Sequence, residues 1–112
     1  KADTRTLPEL LIERHDILIE RIGTRLKTHA TETDIARLFI ALVEYRFMRK
    51  CPIKTFRNAL HEQFKEQEIV HERGIQKAYK NLISPLGNSK KLVKDIGEDH
   101  EAIEELKAYL SN

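Results

Sequence analysis

"TETDIARLFIALVEYRFMRKCP", residues 31–52, decides the fold class. Thr31 and Asp34 stand three apart, the spacing at which two side chains cap a helix start reciprocally. Ile35, Leu38, Phe39 and Leu42 then recur at the helical period, with Tyr45 or Arg46 extending that face, and Ile40, Val43 and Phe47 widen the stripe. A helix apolar over so much of its girth belongs at the centre of a bundle. The spacing predicts a helix over 34–49. Cys51-Pro52 ends it, because proline disfavours a helical residue before it and starts a new helix well. Arg46, Arg49 and Lys50 would then lie beside the exposed terminal carbonyls, which dipole electrostatics favours by itself.

Toward the N-terminus, Pro8 suits a first helical turn, and Leu11, Leu18, Ile22 and Leu26 continue a seam begun by Leu7. This predicts one helix over 8–27, with His15 on the seam as a packed, hydrogen-bonded side chain. Toward the C-terminus, 52–64 reads as a third helix with Ile53, Phe56, Leu60 and Phe64 inward. Lys54, Arg57, Asn58, His61 and Lys65 fall on one flank, and Thr55, Glu62 and Glu66 on the other. "KEQEIVHERG", residues 65–74, is a turn or a continuation. A fourth helix over 73–83 would bury Ile75, Ala78, Tyr79 and Leu82. "SPLGNS", residues 84–89, stops it, and a last helical region reaches Leu110 with a break near Gly97. Leu92, Ile96, Ile103, Leu106 and Leu110 would face inward. No segment alternates as a strand does. The expected architecture is all-α: an orthogonal bundle of about five helices forming a single domain over residues 1–112. The start at Lys1, without methionine, fits a piece of a longer protein.

The bulk numbers agree with this class. The 112 residues are 40% hydrophobic and 34% charged, enough apolar content for one core. No apolar run nears the roughly 18 residues of a membrane span, and no signal-peptide pattern opens the chain. Cys51 is the single cysteine, which excludes an internal disulfide and points to a reducing, cytoplasmic setting.

The net charge of +2 conceals an uneven distribution. Between Arg46 and Lys94 the cations number twelve, and the only acids are Glu62, Glu66, Glu68 and Glu72. Beyond Lys94 the sign reverses, with Asp95, Glu98, Asp99, Glu101, Glu104 and Glu105 against Lys107. Such asymmetry indicates a middle facing a polyanion and an acidic tail, unless both are simply solvated faces.

Catalytic motifs do not emerge. Glu68 and His71 have the Glu-x-x-His spacing of helical di-metal sites, but it occurs once, without the partner carboxylates such sites need. No zinc-type spacing links Cys51 to a histidine, no oxyanion signature accompanies the cysteine, and no glycine-rich phosphate loop is present. The expectation is a protein that is not an enzyme and needs no cofactor or metal.

Nucleic-acid binding has the better physical case. Helices 52–64 and 73–83 follow one another as in a helix-turn-helix, with a longer connection than usual. The second would offer Arg73 and Gln76 to base edges and Lys77 and Lys80 to phosphates, while Arg49, Lys50, Lys54 and Arg57 hold the adjacent backbone. Duplex DNA is therefore the expected partner. The rival expectation is a protein-interaction module, a homodimer in which the acidic end of one chain meets the basic middle of another.

"TETDIARLFIALVEY" and "IKTFRNALHEQF", with Phe56 and Phe64 spaced along the second, resemble the C-terminal part of the RteC family. Members of that family regulate excision of conjugative transposons. The likeness covers roughly residues 28–110 and is one of pattern. It implies a helical DNA-binding region of a regulatory or mobile-element protein.

Overall fold

A computed structural model describes residues 4–83 and 98–111. Among them lie six helices and no strand: α1 (Leu7–Leu10), α2 (His15–Leu26), α3 (Glu32–Glu44), α4 (Ile53–Gln63), α5 (Glu72–Ile83) and α6 (Glu98–Ser111). The all-helical expectation holds. Residues 84–97, with Pro85, Gly87, Leu92, Ile96 and the predicted break at Gly97, lie outside the described residues.

Thr31 and Asp34 cap α3 as their spacing predicts. The Asp34 N–H donates to Thr31 Oγ1 at 3.1 Å, and the Thr31 N–H returns a bond to Asp34 Oδ2 at 3.3 Å. Ile35, Ala36, Leu38, Phe39, Ile40, Ala41 and Leu42 are all buried. At about 100° per residue these positions point in nearly every direction around the axis. Neighbours on both sides explain this: α3 packs most extensively on α5 and α6. Pairwise packing then closes on itself, with α6 on α2, α2 on α1, α1 on α4 and α4 on α5. Phe39 of α3 is the hinge of the aromatic core, with its ring 5.4 Å from Phe56 of α4 and 5.7 Å from Tyr79 of α5.

The C-terminal end of α3 departs from expectation. The helix stops at Glu44, well before Pro52. Tyr45 is the cap residue, and Arg46 adopts the left-handed conformation at φ 61°. The Phe47 N–H donates to Leu42 O at 2.8 Å and the Arg46 N–H to Val43 O at 3.2 Å. This is a Schellman ending, normally built on glycine. The terminal carbonyls are therefore filled by backbone donors, not attended by Arg46, Arg49 and Lys50 as a longer helix would have required.

The segment beyond this turn explains the early stop. Residues 47–49 run antiparallel to residues 10–12, with Met48 opposite Leu11. The Ile12 N–H donates to Phe47 O at 3.1 Å, and the Arg49 N–H to Leu10 O at 2.8 Å. Leu11 and Met48 are both buried by this contact. The same pairing breaks the predicted first helix in two, leaving Leu11 extended and Arg14 left-handed at φ 57°. His15 consequently starts α2 and is exposed, donating from Nε2 to Leu11 O at 3.0 Å, so it is no core residue. Leu18, Ile22 and Leu26 are buried as predicted. Gly23 of α2 is also buried, and a Cβ there would come within 2.7 Å of the Phe64 ring.

α6 lies on α3 and α2 with Ile103, Leu106 and Leu110 buried. Its C-terminal carbonyls are met by arginines of the α2 segment, the favourable sign for a helix C-terminus. Arg14 Nη1 donates to Ser111 O at 3.1 Å, and Arg21 Nη1 to Tyr109 O at 2.8 Å. The Tyr109 hydroxyl returns a bond to Arg21 O at 2.8 Å. At the end of α3, the Tyr45 hydroxyl donates to Glu104, and Lys107 Nζ stands 4.7 Å from the Tyr45 ring centroid.

Two measurements check these features. Replacing Arg46 by Gly removes the left-handed penalty of a side chain, about 1 kcal/mol. Its melting temperature should rise by roughly 4–8 °C, whereas an unchanged or lower value would show that the Arg46 side chain holds the turn. Burial, then the hydrogen bond to Glu104, then the charges of Glu104 and Glu44, push the Tyr45 phenol from 10.0 up to about 12. A raised phenol means stabilisation that is intact below pH 10.0 and is lost as pH rises toward 12. Alkaline titration of phenolate absorbance should show a late component near that pH, absent in Tyr45→Phe.

Candidate nucleic-acid interface

α5 is amphipathic with little ambiguity. Ile75 and Leu82 are buried against the core, Ala78 and Tyr79 are half-buried, and Arg73, Lys77, Lys80 and Asn81 are exposed or nearly so. Three cations fall on one strip, because positions 73, 77 and 80 lie within about 60° of each other around the axis. Gln76 sits at the border of this strip on the Tyr79 side, half-buried. Among the described residues, no carboxylate comes within ion-pair distance of Arg73, Lys77 or Lys80, whereas Lys65, in the connection before α5, pairs with Glu62 at 3.6 Å.

The start of α5 is held from two directions. His71 precedes it, its Nδ1 accepting the Arg73 N–H at 3.1 Å and its carbonyl accepting the Gly74 N–H at 3.2 Å. The Glu68-x-x-His71 pair is therefore not on a helix at all, and that His71 nitrogen serves the backbone. No group of three His, Cys, Asp or Glu side chains converges among the described residues. The Glu32 side chain of α3 lies over Gly74, where any Cβ would overlap its carboxylate. That approach brings a negative charge to the α5 N-terminus, again the favourable sign. Glu32, Arg37, Lys77 and Asn81 line one shallow cleft between α3 and α5.

The four expected flanking cations have different situations. Lys54 is exposed on the first turn of α4, a helix with no acid in that turn and no side-chain cap on its N-terminus. Lys50 is exposed, and its backbone is fixed by Arg5 Nη2, which donates to Lys50 O at 3.3 Å. Arg49, also exposed, turns back toward α1, with Nε donating to Glu9 O at 3.4 Å. Arg57 is half-buried and spends its guanidinium inside the protein. Its Nε donates to Val70 O at 3.2 Å and its Nη2 to Ile69 O at 3.1 Å.

This arginine resolves what the sequence leaves open about 65–74. The segment turns at 64–67 and then runs extended to His71. Extended backbone leaves carbonyls without helical partners, and the fork of Arg57 takes two of them. Ile69, buried beside them, pins the segment to the core. Nothing in the spacing distinguishes such an arginine from an exposed one on the same flank; the signal is only that an extended connection needs donors.

α6 and α5 pack on α3 separately, and Glu101, Glu104 and Glu105 are exposed on α6. Arg25, Arg37 and Glu105 meet in a small polar cleft on the α6 side of α3. No helix among the described residues is long and apolar enough to cross a membrane.

Over residues 1–112 the chain matches a family of unknown function, DUF6043, and it belongs to that family. No curated protein and no solved structure matches it.

Arg57→Ala should cost about 1–3 kcal/mol, the range for charge-assisted bonds whose acceptors are left behind. Amide exchange should accelerate in residues 64–72 before it does in α3. An Arg57→Ala protein with unchanged stability and exchange would mean that the turn carries itself.

Proposed function

We propose that this DUF6043 chain is a DNA-binding domain of a regulatory protein, with α5 as the element that enters the groove. α4, the connection and α5 form a helix-turn-helix-like pair in this reading. The observation that carries it is the strip of Arg73, Lys77 and Lys80 on one helix face, with no carboxylate partner among the described residues. Phosphate neutralisation supplies most of the affinity of such a surface. Arg73 and the half-exposed Gln76, at the N-terminal end of the helix, are the side chains offered to base edges. Lys77 and Lys80 contact phosphates, and Lys50 and Lys54 extend the contact along the backbone. The bare N-terminus of α4 suits a phosphate oxygen for the same reason. Arg57 serves indirectly by holding the connection that aims α5, and Arg49 lies at the edge, toward α1. The resemblance of residues 28–110 to RteC-type regulators supports the same direction.

A second reading draws on the separation of charge. α5, with its exposed cations, and α6, with exposed Glu101, Glu104 and Glu105, both pack on α3, and these opposite charges would attract across a contact between two chains. In that case the protein is a homodimeric interaction module.

Fluorescence anisotropy with a labelled random-sequence duplex tests the first reading. Affinity should fall steeply with salt, by about 0.9 in log K per unit of log salt for each phosphate neutralised. Lys77→Glu with Lys80→Glu should weaken binding at least tenfold at low salt. Absent or salt-insensitive binding would overturn it. If the chain alone sediments as a dimer that the same double substitution dissociates, the second reading takes its place.

A further inference from the structure

Beside the cationic strip lies a groove of a different character. It is formed by Phe39 and Val43 of α3, Tyr79 of α5, and the connection Lys50-Cys51-Pro52 with Ile53 of α4, and is an open groove of about 490 Å³. That volume falls within the range of small-molecule sites, roughly 300–1,000 Å³. Its walls are aromatic and aliphatic. Among the described residues, Lys50 is the one charged residue of the lining, which holds no carboxylate and no histidine.

The polar end is fixed rather than incidental. The backbone at 49–50 is held by the Arg49 N–H bond to Leu10 O at 2.8 Å and by the Arg5 bond to Lys50 O at 3.3 Å. The lysine stem therefore leaves from a rigid point at the rim. Pro52 has no N–H, and α4 opens beyond it without an acid in its first turn. The apolar end is equally fixed, by the edge-on contact of Phe39 and Tyr79 at 5.7 Å. An apolar cleft with one cation at its mouth complements a molecule with an apolar body and one negative charge. A flat polyanion would not use the floor, and a neutral hydrocarbon would not use the lysine.

We propose that this groove binds a small amphipathic monoanion, an aliphatic or aromatic carboxylate, with its body on Phe39, Val43, Ile53 and Tyr79 and its carboxylate at Lys50. Such a ligand would touch α3, α4 and α5 together. Its binding does not depend on the DNA reading, and it is measured without DNA.

Cys51 provides the readout, because it lies in the lining, forms no disulfide, and is the single cysteine of the chain. Alkylation of the full chain by iodoacetamide, a neutral reagent, is followed by mass spectrometry with increasing decanoate below its micellar concentration. Decanoate should slow the reaction saturably, by a factor of five or more, and displace anilinonaphthalene sulfonate fluorescence over the same concentrations. Lys50→Glu, an exposed substitution, should raise the half-protecting concentration about tenfold or more, as loss of a charge-assisted contact does. An unchanged alkylation rate, equal protection by decanol, or an unaltered response in Lys50→Glu would each overturn the proposal.

Discussion

The antiparallel contact between residues 10–12 and 47–49 sets the rest of the molecule. Two long helices could have run through these positions, since neither glycine nor proline lies at 11–14 or 44–50. Instead, pairing Leu11 with Met48 buries both and satisfies the backbone of two segments that no helix serves. It also determines where α4 begins, because only a short connection separates Arg49 from Ile53. Burying two large apolar side chains is worth about 3–6 kcal/mol. Two left-handed arginines oppose it at about 1–2 kcal/mol each, and the backbone bonds of Ile12 and Arg49 add to the favourable side.

Once α3 is stopped at Glu44, it is buried over most of its girth, with Thr33, Arg37 and Glu44 on the more exposed face. The helix is short enough for α5 and α6 to flank it along its length. The consequence is electrostatic as well as steric. α5, with its exposed cations, and α6, with its exposed acids, both pack on α3, and half-buried Arg37 lines a cleft on each side.

Much of this was legible in the sequence where the physics is local. The Thr31–Asp34 cap, the new helix at Pro52, and the inward positions of Phe56, Leu60, Ile75 and Leu82 depend on spacing and side-chain chemistry within one turn or two. The cationic strip of α5 is legible for the same reason. The breaks at Leu11–Arg14 and Tyr45–Arg46 are not, because their cause is a partner segment more than thirty residues away. Arg57 fails in the same manner: its flank reads as cationic and free, yet its partners are the carbonyls of Ile69 and Val70, whose need for a donor appears only once 68–71 is extended. The groove at Lys50 needs three elements and a connection to exist, so no window of sequence contains it.

The placement of Arg73 is the strongest sign that α5 is shaped by something other than stability. A cation in the first turn of a helix meets the positive end of the dipole and costs about 0.3–1 kcal/mol. Arg73 and Lys77 stand four apart, and Lys77 and Lys80 three apart, so each pair adds a repulsion of about 0.2–0.5 kcal/mol. Lys80, in the last turn, returns part of this, and Glu72 and the nearby Glu32 return more at the first. Swapping Arg73 for an acid would reverse its own dipole cost and its repulsion with Lys77. Glu68 and Glu72 show that acids occur within a few residues, yet none among the described residues pairs with the strip. In the DNA-binding reading proposed above, an external anion lying across these three like charges would offset their cost to the helix. On that proposal the repulsion relieved by the anion would add to the affinity, so the same three residues would oppose folding and favour binding.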